Sequence, residues 1–211
     1  MQAISVDING DKYSIECGEL GKLKNTKNRR TIMEYQEILT FWFDECRPVQ
    51  WFKKDTDFDE LIRKRFSEIH SQVAQGEKAL WRQTIEGRLA EIIVLDQFSR
   101  NMFRNDARSF TYDGMALILT QEALKTGELD KLTPQQRAFL YMPLMHSESL
   151  IIHDEALKRF SERGMEKNLQ SERKHHAIIV RFGRYPHRNS ILGRISTVEE
   201  IAFLNEPGSS F

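Results

Sequence analysis

Thr31-Ile32-Met33-Glu34-Tyr35-Gln36-Glu37-Ile38-Leu39-Thr40-Phe41-Trp42 decides the fold, because Ile32, Tyr35, Ile38, Leu39 and Trp42 recur at the three- and four-residue spacing of one helix face. Thr31 reads as the N-cap, and the helix must stop before Pro48. Upstream the period is two. Ile4, Val6 and Ile8 alternate with polar residues, Asn9-Gly10 follows, and Tyr13 and Ile15 resume the alternation, which predicts a β-hairpin. The basic stretch Lys22 to Arg30 then reads as a linker. The expected division is 1–30 for hairpin and linker and 31–211 for a helical domain.

Downstream, the helical period holds to the end of the chain. A second helix is expected to open at Asp57 with Glu60 as its capping-box partner and to bury Phe58, Leu61, Ile62, Phe66, Ile69 and Val73. A third starts around Thr84 and carries Leu89, Ile92, Ile93, Leu95 and Phe98, and a fourth runs from Tyr112 to Thr126, closed by Gly127. Thr133-Pro134 opens a fifth. Pro143 kinks or splits it, the pattern resuming through Leu150, Ile151, Leu157 and Phe160 to Gly164. Leu169 to Phe182 form another, and Thr197 with Glu200 caps a last helix that would bury Val198, Ile201 and Leu204. The fold class is therefore all-α, about seven or eight helices arranged either as an irregular array of helix pairs or as a single bundle. No clean repeat at tetratricopeptide spacing is found. Trp42, Phe43, Trp51, Phe52 and Trp81 read as core aromatics rather than as a pocket lining.

The 31 basic and 31 acidic side chains among 211 residues leave no net charge, so any electrostatic recognition must be local. Cys17 and Cys46 make neither a disulfide framework nor a paired metal motif, and no signal-peptide or membrane-span pattern is present, so a cytoplasmic setting is expected. The local charge sits late in the chain. Between Arg173 and Arg194 there is no Asp or Glu, while Arg173, Lys174, Arg181, Arg184, Arg188 and Arg194 are all basic. Gly183, Pro186 and Gly193 interrupt any helix there and predict a loop that presents guanidinium groups.

Two further constellations carry polar chemistry. Asp96, Arg100 and Arg104 follow at i, i+4 and i+8, with Gln97 and Asn101 on the adjoining row. This stripe is either a solvated, ion-paired face or one wall of a cleft shared with the arginine loop. His146-Ser147-Glu148 follows Pro143, where His146 could exchange protons near neutral pH and Glu148 could orient a histidine or an arginine; the alternative is an interior pair that locks two helices. No metal is expected. His146 and His153 lie seven apart, roughly 10 Å along a straight helix. His175 and His176 point apart, and no paired cysteine or His-Glu-x-x-His motif occurs. Phosphate loops, dinucleotide turns and nucleophile elbows are also missing, so no cofactor is implied.

Phe41-Trp42-Phe43, Trp51-Phe52, Leu95 to Asn101, Tyr141 to Glu148 and Arg181 to Arg194 together resemble the signature of the bacterial family catalogued as domain of unknown function 924. The resemblance runs from about Ile38 to Phe211 and implies a tetratricopeptide-like helical fold, with the hairpin as an appendage and no catalytic residues to carry over. It also implies three departures: the family usually has proline where Ser99 stands, an acidic residue where Met145 stands, and a Gln-Glu pair near His153-Asp154.

Four readings of function follow. The first is a binding module whose cleft holds an anionic small molecule or an acidic protein segment through Arg100, Arg104, Arg181, Arg184, Arg188 and Arg194, with His187 and Asn189 giving directional hydrogen bonds. The second is a metal-independent hydrolase or lyase acting on an anionic small molecule, with His146 or His187 as acid-base group and Asp96 or Glu148 as its partner. An RNA-binding surface with Tyr185 and Phe182 stacking on bases is the third. In the fourth the arginines only tie helices together through Asp96, Asp106 or Glu148. Burial separates the first two: a closed pocket with a perturbed histidine favours an enzyme, and an open basic groove favours binding.

Overall fold

The computed structural model describes residues 35–209 in full and the backbone alone of Ile4–Ile8 and Asp11–Ile15. Those two short segments run antiparallel with Val6 opposite Tyr13. The Asn9-Gly10 turn expected between them, the basic linker and the cap expected at Thr31 lie outside the described residues.

From 35 to 209 every regular element is a helix. Among the described residues there are α1 (35–45, closing in a π-helical turn at Phe41–Glu45), α2 (Thr56–Ala74) and α3, which consists of Ile85–Ile93, a π-helical turn Val94–Phe98 and Ser99–Met102. Then follow α4 (Asp113–Leu124), α5 (Pro134–Met145), α6 (Leu150–Phe160), α7 (Glu166–Phe182) and α8 (Val198–Leu204). No helix among the described residues is long and apolar enough to cross a membrane.

The helix starts follow from capping chemistry. Asp55, rather than Asp57, opens α2: its carboxylate accepts from the amides of Asp57 and Phe58, both at 3.2 Å, while Glu60 pairs with Arg63. Thr84 caps α3 through the amide of Gly87 at 3.0 Å. Thr133 with Gln136 and Thr197 with Glu200 form complete capping boxes on α5 and α8. Gly183, with φ of 68°, ends α7, donating its amide to Ile179 at 2.8 Å.

The centre of the molecule is α3, which packs against α2, α4 and α5, so that residues 91–99 are buried without interruption. Trp42, Phe58, Phe66, Phe98 and Phe139 fill the space beside it, Trp42 meeting Phe98 and Phe139 edge-on with centroids 5.6 Å away from each. Trp42 and Trp81 are core residues as expected, whereas Phe52 is mostly exposed. A helix enclosed on all sides leaves no water for its polar side chains, so each needs a protein partner. Glu91 accepts the fork of Arg82 at 2.7 and 2.6 Å, and Ser99 meets His70 at 2.8 Å. Asn101 donates to Asp59 at 2.8 Å.

The apolar face expected on the last helix is not its buried face: Val198 is 85% and Ile201 53% exposed. The cause is Glu200. Its carboxylate serves both the capping box and Arg184, so the helix turns that side inward and packs only Phe203, on Phe182 with ring centroids 5.0 Å apart. Leu150 and Ile151 likewise lie on the outside of α6, and Leu61 on the outside of α2.

Candidate functional site

Asp96 sits in the π-helical turn of α3, at 0% exposure, with both carboxylate oxygens engaged. Gln97 donates to Oδ2 at 2.6 Å, while Oδ1 takes Nδ1 of His146 at 2.7 Å and Nη2 of Arg100 at 3.3 Å. The same Nη2 reaches Oδ1 of Asp113, the first residue of α4, at 3.0 Å. Oδ2 of Asp113 accepts from Nη1 of Arg188 at 3.0 Å, and Nη2 of Arg188 returns to the carbonyl of His146 at 3.0 Å. Four elements thus close a ring: α3, the start of α4, the end of α5 and the short 3₁₀ turn Pro186–Arg188. Phe110 lies against both guanidinium groups, 4.6 Å from that of Arg188 and 5.4 Å from that of Arg100.

Beside the ring opens a cavity of about 440 Å³, within the usual range for small-molecule sites. Ala107, Phe110, Leu117, Pro143 and Leu192 give it apolar walls, and Asp113, His146, Glu148 and Arg188 supply the polar groups.

Burial alone would raise the Asp96 carboxyl, but the charges of His146 and Arg100 and the hydrogen bonds from His146 and Gln97 outweigh it and hold the group well below the ordinary carboxylate range. Burial lowers His146, and the Arg100 guanidinium lowers it further, against the opposing pull of Asp96. At neutral pH the pair is therefore a carboxylate and a neutral imidazole, with Nδ1 donating to Asp96 and Nε2 left with its lone pair. The His146 side chain keeps 15% of its exposure and lines the cavity, and among the described residues nothing hydrogen-bonds Nε2.

The remaining residues singled out in the sequence divide into two groups. Glu148 borders the cavity, but its carboxylate accepts the fork of Arg194 at 2.6 and 2.9 Å and the amide of Tyr185 at 2.7 Å. Burial would raise this carboxyl as well, and the hydrogen bonds of Arg194 and Tyr185 bring it below its usual value. The other group lies elsewhere. Arg104 stands past the end of α3 at Met102, so the i, i+4, i+8 stripe stops at Arg100, and its fork closes on Asp59 of α2 instead. Arg184 forks onto Glu200 at 2.6 and 2.8 Å, and Arg181 meets Glu199 at 2.9 Å. Asn189 is buried and donates to Ser196 at 3.0 Å; His187 packs its ring 5.5 Å from that of Tyr185, where burial pushes it down to about 4. Each of these arginines thus faces a carboxylate, so the loop does not present a bare row of positive charge.

Asp113 and Phe110 are the residues that the sequence hid. An acidic residue in the first turn of a helix ordinarily answers the helix dipole, and nothing local marks Asp113 as the bridge between two arginines, one 13 positions before it and the other 75 positions after it in the chain. Among the described residues no three His, Cys, Asp or Glu side chains converge as a metal site would require.

The profile of a bacterial family described as proteins of unknown function, DUF924, matches residues 38–208. A solved structure, that of a protein of unknown function from Agrobacterium tumefaciens, is similar with 34% sequence identity and a TM-score of 0.79, over 83% of this chain and 98% of that one. No curated protein matches the chain.

Proposed function

The chain belongs to the DUF924 family of bacterial proteins, and on that premise we propose that its cavity is a metal-independent acid-base site for a small molecule, with His146 as the proton carrier. The carrying observation is the 2.7 Å hydrogen bond between His146 Nδ1 and the buried carboxylate of Asp96 at the edge of a 440 Å³ cavity. A carboxylate in that position fixes the tautomer and the ring plane, and it stabilises the imidazolium that forms once Nε2 has taken a proton. Burial, and after it the charge of Arg100, keeps the imidazole neutral beforehand. The apolar walls suit a molecule with a hydrocarbon or aromatic body, while an anionic or carbonyl head would lie toward His146 and Arg188. Abstraction of a substrate proton, as in a lyase, or activation of water, as in a hydrolase, are the reactions that such a group performs.

The test is a turnover screen of carboxylate and phosphate esters and of 2-hydroxy and 3-hydroxy acids with the parent and His146→Asn. Loss of about 10²–10⁴-fold in the variant is expected for a missing acid-base group. Equal turnover in both would remove His146 from the chemistry.

One observation favours a second reading, a binding site without reaction. Asp113 places its two oxygens on two guanidinium groups as a ligand carboxylate would, so Asp113→Gly should gain thermal stability from acetate where the parent does not. An extended surface for RNA or an acidic protein segment has less support, because Arg181, Arg184 and Arg194 each hold a glutamate. The proposal takes residues 31–211, in a tetratricopeptide-like arrangement and a cytoplasmic setting, as the unit that carries the site.

A further inference from the structure

The last carbonyls of a helix have no partner within it, and at and just past the end of α5 at Met145 three consecutive carbonyls are each taken by a side chain from later in the sequence. Tyr185 donates its hydroxyl to the carbonyl of Met145 at 2.6 Å, Arg188 its Nη2 to that of His146 at 3.0 Å, and His153 its Nε2 to that of Ser147 at 2.9 Å. The middle residue of the three is the one whose ring meets Asp96. We propose that Tyr185 and His153, together with Arg188, are positioning residues for His146, holding the turn from which its imidazole reaches the carboxylate. The purpose of this brace rests on the acid-base reading above; its geometry does not.

Each donor is itself fixed. Arg188 is held by Asp113. His153 is fully buried, and its Nδ1 lies 2.6 Å from Oε1 of Glu172. With Nδ1 committed to the carboxyl group, the hydrogen on Nε2 has only oxygens before it: the Ser147 carbonyl, and the Tyr185 hydroxyl at 3.1 Å. Tyr185 is anchored through its own backbone. Glu148 accepts its amide at 2.7 Å, and Arg194, forked on the same Glu148, donates to its carbonyl at 3.1 Å. The segment that looks in sequence like a row of ligand-binding arginines is on this reading a frame: Glu148 and Arg194 set Tyr185, and Tyr185, His153 and Arg188 set the turn at residues 145–147. A free rotation of that turn would move the His146 ring away from Asp96 and return the imidazole to a mixture of tautomers.

Nitrogen-15 NMR of the histidine rings reads this without a ligand, the His146 signals being assigned by their loss in His146→Gln. In the parent, His146 shows one tautomer, protonated at Nδ1. In Tyr185→Phe, which keeps the ring and removes only the hydroxyl, the two ring-nitrogen shifts are expected to move toward each other, and the titration to shift toward that of an ordinary histidine, while the backbone amide spectrum keeps its dispersion. Arg194→Lys loosens the same frame from its outer end and is expected to show a smaller change of the same kind, which keeps the test available should the first variant fail to fold. An unchanged His146 ring in the folded variants overturns the proposal, and so does a change that comes only with loss of the amide dispersion, since that would make the contacts serve the fold alone. Failure of the acid-base reading registers separately, as His146→Asn turning over at the parental rate.

Discussion

Asp96 is a carboxylate with no exposure to water and three groups, Gln97, Arg100 and His146, arranged to keep it ionised. Replacing the carboxylate by an amide leaves Arg100 facing one carboxylate instead of two and sets an NH2 group against either the Gln97 amide or the His146 ring, both of which donate. Asp96→Asn is therefore expected to destabilise the fold by about 3 kcal/mol, the scale for breaking a buried pair from one side. Urea unfolding measures it, and a loss under about 1 kcal/mol would mean that the site tolerates the neutral amide and that the charge contributes little. The spacing of Asp96 and Arg100 was legible in the sequence, because i, i+4 residues of a helix are neighbours, and so was His146 at the break after Pro143. Their meeting was not. Fifty residues separate Asp96 from His146, and no local pattern encodes a contact made by the packing of α5 on α3.

Among the elements, α3 shows where periodicity stops being informative. An amphipathic stripe predicts one buried face, yet residues 91–99 are buried all round because α2, α4 and α5 enclose them. Its polar residues, which in sequence left open a solvated face or the wall of a cleft, are consequently interior groups in the fold. Capping was legible at Thr133 and Thr197, since it depends on residues within one turn, and was misplaced by two residues on α2, where Asp55 rather than Asp57 is the cap. The orientation of α8 was not, because the Glu200–Arg184 pair rather than hydrophobicity decides which side faces in. The start of α3 also depends on a close approach: a Cβ at Gly87 would collide with the carbonyl of Trp81. Gly87→Ala should cost about 1–3 kcal/mol by overpacking, against the small gain that alanine normally gives a helix. Thermal unfolding of that variant checks the sign, and a raised melting temperature would show that the 3₁₀ turn Ala79–Gln83 yields readily.

At the scale of the whole molecule, buried histidines link stability to pH. Burial pushes His70 down to about 4, His175 to about 3 and His187 to about 4, and it lowers His146 as well. The unfolded chain binds these protons near pH 6.5, the folded chain only well below it. Between those values the unfolded state holds more protons, so stability is full above about pH 6.5 and falls as the pH drops toward 4, by on the order of 1–2 kcal/mol per histidine at about pH 5. Urea midpoints taken across that range should fall steadily, and His175→Gln should flatten the slope by about one proton. A stability unchanged between about pH 7 and 5 would contradict the burial of these rings. The central claim concerns one of the four, and it is tested most directly by following the His146 ring nitrogens of the parent protein from about pH 8 to 4. A single tautomer is expected, protonated at Nδ1 and taking up its second proton below the ordinary value of about 6.5. A ring that titrates at or above that value, or that carries its neutral proton on Nε2, would mean that Asp96 does not hold His146 as an acid-base group.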